Sequence, residues 1–415
     1  MYSFLTTMLL MTIEVPQLDD LLKFVDNSKI RDAYNNPDFA LHLSAILPAL
    51  SASIGSPICT QIHKNPDFLR DSLGFPKAQS AVVVLVDGLG YWNLVSRKGH
   101  APYLRSLLNN SANQRPITTC VPSTTVAAMA TFGTGTCPGL TAMTGYTQKN
   151  PKTGALSQLI QFRDAPDPKD LQRQPTIFES LSNLGVRANH VSLSKFEDSP
   201  LTQAAFRGAK FISGTTARAR IINAANSTKT PGLTYLYLRD IDKIGHNYGW
   251  NSNNWVSTFE QIDSQLNLLR KNCQKGTLIV ITADHGMVES NPDLSIDIAK
   301  DSRLIKGVKL VGGEPRSVML YAESGENPED IALRWANVLQ DKALVRTKEQ
   351  AIKDGVFGKV SPLALSVIGD VLVQAKSSVT IVDSRIETEK AMNLPSVHGS
   401  MSAMEMDIPC LIDIA

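Results

Sequence analysis

Three segments of the chain share one layout, an unbroken apolar run that ends on a carboxylate. AVVVLVDGLG (81–90) runs through valines and a leucine to Asp87 and then turns at glycine. TYLYLRDID (234–242) also ends in acids, and TLIVITADHG (277–286) ends on Asp284 and His285 side by side. Runs of this length, rich in Val, Ile and Leu, predict central strands of a parallel sheet covered on both faces. Between them the period changes. Val256, Phe259, Ile262, Leu266 and Leu269 recur at helical spacing and predict an amphipathic helix ahead of the third strand. PTIFESLSNLG (175–185), with Pro near its start and Gly at its end, predicts a shorter helix. Strands alternating with helices make the fold class α/β, with a mostly parallel central sheet flanked by helices.

The tract from 300 to 395 departs from that pattern. It opens LVGGEPRSVMLYAES, continues through the helix-like PEDIALRWANVLQ and the glycine-punctuated KDGVFGKV, and closes on the strand-like SVTIVD. It predicts a smaller α/β subdomain, residues 300–395, inserted into a core made of residues 76–299 and 396–415. Residues 1–75 predict helices packing on that core and carry no visible chemistry. There are no internal repeats.

Composition narrows the class. A formal charge of +2 gives no electrostatic case for a nucleic-acid partner. No segment reaches the roughly 20 apolar residues that span a bilayer, so no membrane partner is expected. The five cysteines (Cys59, Cys120, Cys137, Cys273, Cys410) are odd in number and scattered, without a CxxC pair. That excludes a disulfide scaffold and fits a reducing, cytoplasmic location. The opening MYSFLTTMLLMTIEV is apolar but has no basic n-region, the first lysine being Lys23, and no small-residue cleavage site. Met8 and Met11 are alternative starts.

Open α/β sheets bind ligands beyond the carboxyl ends of their strands, which is where Asp87, Asp242 and Asp284 fall. Three carboxylates gathered at one sheet edge repel one another unless cations neutralise them. DIDKIGH (240–246) sets Asp242 four residues before His246, and PSVHGSMS (395–402) supplies His398 in a Ser/Gly-rich loop. Asp and His are good ligands for zinc or a similar transition metal. The other histidines (His42, His63, His100, His190) lack carboxylates at ligand spacing and read as surface or structural. CVPSTTVAAMATFGTGTCPG (120–139) passes from a proline turn through Ser123, Thr124 and Thr125 into a small-residue helix. A hydroxyl at a helix N-terminus is well placed to attack a phosphate, and a bound divalent ion lowers the pKa of such a hydroxyl as it does that of water. Cys120 reads as a small buried residue. Taken singly, Asp87 before glycine is an ordinary turn residue and Thr125 an ordinary helix cap. Their joint occurrence at strand ends is what points to function.

In this order and spacing, VDGLG, PSTT, DKIGH, ADHG and VHGS resemble the alkaline phosphatase superfamily, and within it the type I phosphodiesterase / nucleotide pyrophosphatase branch. The resemblance spans residues 78 to 412. It implies an alkaline-phosphatase-like fold and two divalent metal ions, with zinc the expected element. One ion would lie on Asp87, Asp284 and His285, the other on Asp242, His246 and His398. It implies Thr125, three residues after the proline of its motif, as nucleophile and metal contact, with Thr124 the second choice. Asp284 and His285 would then lie just past their strand, where the backbone turns and both can face one cation. The expected activity is hydrolysis of a small-molecule phosphodiester or nucleotide pyrophosphate through a phospho-threonine. The alternatives are a phosphomonoesterase, for which Lys243 and Arg239 offer positive charge, a phosphonate hydrolase, and a metal-binding relative that has lost catalysis. The chain departs from the family where Phe-Pro-Asn-His is replaced by Val126, Ala127, Ala128 and Met129, and where His-Gly is replaced by Thr141-Ala142. Tyr146 stands where many members place an Asn that contacts phosphoryl oxygens, so it is the candidate substrate-binding residue.

Overall fold

The structure, a computed structural model, describes residues 13–36 and 39–415. The opening stretch with Met8 and Met11 lies outside the described residues. The predicted apolar runs are the middle of a six-stranded sheet with the order Cys410–Ile414, Leu278–Thr282, Ser80–Val86, Gly232–Leu238, Ala188–Ser192, Lys210–Ser213. All neighbours are parallel except the Cys410–Ile414 edge, which runs antiparallel to Leu278–Thr282. Val83 pairs with Tyr235 on one side and Val280 on the other. Every residue of Ser80–Val86 is buried, because helices cover both faces, and each buried Val or Leu contributes about 1.5–3 kcal/mol. The predicted amphipathic helix is Asn253–Asn272; the Ser252 hydroxyl caps it by accepting from Trp255 N–H, and it buries Trp255, Phe259, Ile262, Leu266 and Leu269. The PTIFESLSNLG segment forms the helix Ile177–Asn183, held by a Thr176/Glu179 capping box. Near the N-terminus, the wholly buried helix Ile46–Ser53 packs beside Pro66–Leu73.

A second six-stranded sheet runs in the order Ala343–Thr347, Val371–Ala375, Ser317–Ala322, Val308–Glu314, Thr147–Lys149, Leu156–Gln158. It is antiparallel throughout. Two of its strands come from residues 147–158, so it is built from more than the 300–395 tract. Helix Pro328–Leu339 lays Ile331, Trp335 and Leu339 on one face of it, forming a small core with Val318, Leu320 and Val373. A buried ion pair ties this sheet to the C-terminal segment: Arg316 Nε donates to Glu405 Oε1 at 3.0 Å and Nη2 to Oε2 at 2.8 Å. Among the described residues no helix is long and apolar enough to cross a membrane.

Candidate metal centre and nucleophile

The carboxyl ends of three strands are stitched together by their own backbone. Asp87 N–H donates to Leu238 O at 2.9 Å, and Asp242 N–H to Asp87 O at 3.1 Å. Gly88 N–H donates to Asp284 Oδ1 at 3.1 Å. Gly88 has φ +73°, and a Cβ there would lie 3.0 Å from Asp242 Cα. Only glycine lets this turn pass so close to the helix Asp240–Tyr248. Asp284 and His285 lie beyond Thr282, fully buried, and His285 N–H donates to Asp284 Oδ1 at 3.0 Å. A Cβ on Gly286 would meet Met404 O at 2.0 Å, so the chain continues past His285 only through glycine. His398 follows the short strand Ser396–Val397, which pairs with Val288–Glu289 just beyond the same ADHG turn.

The three histidines present the same edge. His285 Nδ1 faces Gly286 O at 3.1 Å, His246 Nδ1 faces Ser396 O at 2.8 Å, and His398 Nδ1 faces Ser123 O at 2.9 Å. A carbonyl only accepts, so these bonds assign the proton to Nδ1 and leave the Nε2 lone pair pointing at the carboxylates. His246 Nε2 is 3.2 Å and His398 Nε2 3.8 Å from Asp242 Oδ1. His285 Nε2 is 3.4 Å from Asp284 Oδ2 and 3.6 Å from Asp87 Oδ1. Asp87 Oδ1, Asp242 Oδ1 and Asp284 Oδ2 are buried without a hydrogen-bond partner; the other Asp87 oxygen accepts from Tyr237 OH. Burial, with Asp284 and Asp242 beside it, pushes the Asp87 carboxyl well above its usual range. Buried carboxylate oxygens facing imidazole lone pairs are the donor set of a divalent transition metal.

Ligand atoms of Asp87, Asp284 and His285 lie within 4.8 Å of one another, and so do those of Asp242, His285 and His398. His246 joins the second group through Asp242. The His285 and His398 rings stack at 3.6 Å and 16°, so His285 stands between the two groups. Asp242 is drawn two ways. Burial raises its carboxyl, and a protonated His246 beside it would outweigh burial and hold it below its ordinary value.

Thr125 is the first residue of the helix Thr125–Thr134. Val126 to Thr134 are all buried, and a Cβ at Gly133 would lie 1.9 Å from Ala205 O. Small residues therefore let this helix seat against the helix Pro200–Phe206. Thr125 Oγ1 is 3.2 Å from His285 Nε2, whereas Thr124 is the N-cap residue and its hydroxyl bonds the Glu314 carboxyl instead. Thr125, Asp87, Asp242, His246, His398 and Tyr146 line one cavity of about 840 Å³. The Tyr146 hydroxyl accepts from Gln158 Nε2 at 2.7 Å, which leaves its own proton free to donate. Arg239 lines the cavity with Lys195, the two flanking the Phe196 ring at 5.8 and 5.0 Å, while Lys243 is exposed outside it. Cys120 is fully buried, and burial pushes its thiol up to about 12.

The cavity also holds residues to which no chemistry attaches in the sequence. Tyr237 reads there as a strand residue and Glu314 only as part of the opening of the 300–395 tract; the paired glycines before Glu314 are the one local signal of close packing. Arg316 and Glu405, 89 positions apart, have no sequence signal that joins them.

A mostly parallel sheet with acids and histidines gathered at its carboxyl edge defines an alkaline-phosphatase-like fold. The sequence profile of the type I phosphodiesterase / nucleotide pyrophosphatase family matches residues 81–401. The chain belongs to that family, whose members are phosphoester hydrolases that typically use two divalent ions. No curated protein sequence matches it. Among solved structures it is similar to murine ectonucleotide pyrophosphatase / phosphodiesterase 5, at 18% identity and TM-score 0.65 over 80% of this chain and 88% of that one. An inactive form of the murine protein, in complex with AMP, matches at 17% and 0.65 over 80% and 87%. Phosphonoacetate hydrolase from Sinorhizobium meliloti 1021, in complex with phosphonoformate, matches at 20% and 0.61 over 81% and 90%.

Proposed function

We propose that the chain hydrolyses a phosphodiester or nucleotide pyrophosphate in two displacements, through a phospho-threonine at Thr125. The observation that carries this reading is the Thr125 hydroxyl at a helix N-terminus, 3.2 Å from His285 Nε2 and in one cavity with the partnerless oxygens of Asp87 and Asp242. Asp87, Asp284 and His285 would hold one divalent ion; Asp242, His246 and His398 would hold the other, with zinc suited to these N and O donors. Two such ions supply Lewis acidity and neutralise the charge of the phosphoryl group. In the first displacement the Thr125 Oγ1–P bond forms as the P–O bond to the leaving alcohol or phosphate breaks; Thr125 gives up its proton to solvent and an expelled alkoxide takes one up. In the second, water cleaves the phospho-threonine and Thr125 regains its proton. The first backbone N–H groups of its helix, free of intrahelical acceptors, donate to the equatorial oxygens, with the Tyr146 hydroxyl as a further donor. The organic substituent lies along the apolar wall that includes Leu156, Ile160, Leu201, Phe206 and Ile381. All five cysteines are free, which supports a reducing, cytoplasmic setting.

Lys195 and Arg239 on the cavity wall favour one second reading, a phosphonate or monoester hydrolase that holds an additional anionic group there. The test is hydrolysis of bis(p-nitrophenyl) phosphate against p-nitrophenyl phosphate by zinc-loaded and chelator-stripped protein. Diester turnover that disappears on stripping and returns with metal supports the first reading. Preferential monoester turnover moves the assignment to the second. Two tightly bound ions with neither turnover would make the chain an inactive relative.

A further inference from the structure

Glu314 and Glu387 are carboxyls of the cavity wall outside the ligand set, and Glu314 adjoins the N-cap of the nucleophile helix. It ends the strand Val308–Glu314. Its Oε2 accepts from Tyr146 N–H at 3.1 Å, the Thr124 hydroxyl bonds the same carboxyl, and Oε1 is buried without a partner. A Cβ on Gly399, the residue after His398, would lie 2.7 Å from Glu314 Cγ. The carboxyl is thus wedged between the N-cap of the Thr125 helix and the His398 loop, in the cavity that Thr125 lines.

No described cation pairs with it. Arg316, two residues on, is committed to Glu405, and Lys195 and Arg239 lie over Phe196. Burial pushes the Glu314 carboxyl up to about 8, opposed by the Tyr146 N–H and the Thr124 hydroxyl and reinforced by Glu405. Where that carboxyl is ionised, above about pH 8, such a wall tolerates one negative charge on an incoming phosphoryl group more readily than two, since like charges at close range in a poorly solvated site are costly.

We propose that Glu314 is a specificity-determining residue that turns away dianionic phosphoryl groups, so that singly charged diesters are accepted over monoesters. The inference rests on the reading of Thr125 as the group that attacks phosphorus. The test compares metal-loaded wild type with Glu314→Gln, which keeps an acceptor for Tyr146 N–H and Thr124 while removing the charge. Two readouts are taken at pH 9, where the Glu314 carboxyl is ionised: kcat/KM for p-nitrophenyl phosphate relative to bis(p-nitrophenyl) phosphate, and the calorimetric affinity for inorganic phosphate. Glu314→Gln is expected to raise the monoester-to-diester ratio about tenfold and to tighten phosphate binding several-fold. An unchanged ratio with unchanged phosphate affinity overturns the proposal. So does a parallel loss on both substrates with a lower melting temperature, which marks a purely structural residue. If wild type prefers the monoester but the ratio still rises in the variant, the diesterase reading fails and the role of Glu314 stands. If neither substrate is turned over, the hydrolase reading fails and the phosphate affinity alone decides for or against Glu314.

Discussion

Thr125 Oγ1 lies 3.2 Å from His285 Nε2, and that nitrogen is left to accept because Nδ1 of the same ring is committed to Gly286 O at 3.1 Å. The threonine hydroxyl thereby faces the one histidine common to both ligand groups. Thr124, one residue earlier, bonds Glu314 instead. Thr125→Ala is expected to lower kcat/KM for bis(p-nitrophenyl) phosphate by more than roughly 10³-fold. Thr125→Ser should keep most of the activity, and Thr124→Ala should cost much less than Thr125→Ala. Full activity in Thr125→Ala would move the nucleophile elsewhere.

The Arg316–Glu405 pair is buried on both sides and forked, with bonds of 3.0 and 2.8 Å. Glu405 also accepts from Ser400 N–H at 2.9 Å, two residues past His398. Arg316→Met strands a buried carboxylate and is expected to cost about 3–5 kcal/mol in chemical denaturation. The double variant Arg316→Met, Glu405→Gln should lose less, because no uncompensated charge remains. Metal titration of the single variant should show weakened binding at the His398 group. Equal losses in single and double variants would mean that the pair matters only through packing.

What was legible in the sequence follows from period and spacing. Val82 to Val86 and Ile279 to Ile281 are unbroken apolar runs, and such runs announce a central sheet wherever they occur, so the placement of Asp87 and Asp284 at its carboxyl edge came with them. His398 carried no such periodic signal; only its place in an ordered set of motifs singled it out. The antiparallel sheet was harder to read because its strands Thr147–Lys149 and Leu156–Gln158 are three residues each and largely polar. Glu314 is brought beside Thr124 by that sheet alone, through contacts far apart in the chain, and no local pattern encodes them. Tyr237 sits in strand alternation, where an aromatic residue is the ordinary choice, so its bond to Asp87 had no signature.

His190 stands in the second strand of the main sheet, stacked on Tyr235 at 4.7 Å and 26°, with neither ring nitrogen bonded. Burial lowers its pKa to about 3. A histidine whose folded value lies below its unfolded one contributes stability that is present above about 6.5 and is lost as pH falls toward 3. On that basis His190 alone removes on the order of 2 kcal/mol between pH 7.5 and pH 5. His190→Phe keeps an aromatic ring against Tyr235 and should flatten the acid limb of a melting-temperature profile over that interval. An acid limb as steep as that of wild type would show that His190 stays hydrated or finds a partner.

Gly88 makes the most direct demand of backbone on chemistry. Its φ of +73° disfavours any side chain, and a Cβ would lie 3.0 Å from both Cα and Cβ of Asp242. Gly88→Ala is therefore expected to cost about 1–2 kcal/mol from the left-handed conformation alone. The methyl would also press on the helix that carries Asp242 and His246, while leaving the backbone of Asp284 and His285 in place. The variant should then bind metal unequally: the Asp242 group weakens by an order of magnitude or more, and the Asp87, Asp284 and His285 group changes less. Two-site calorimetric titration with zinc, alongside a denaturation curve, separates the two effects. A uniform loss at both sites would mean that strain from residue 88 spreads through the whole cluster. An unchanged titration would show that the Asp240–Tyr248 helix can retreat from an added methyl without moving its ligands.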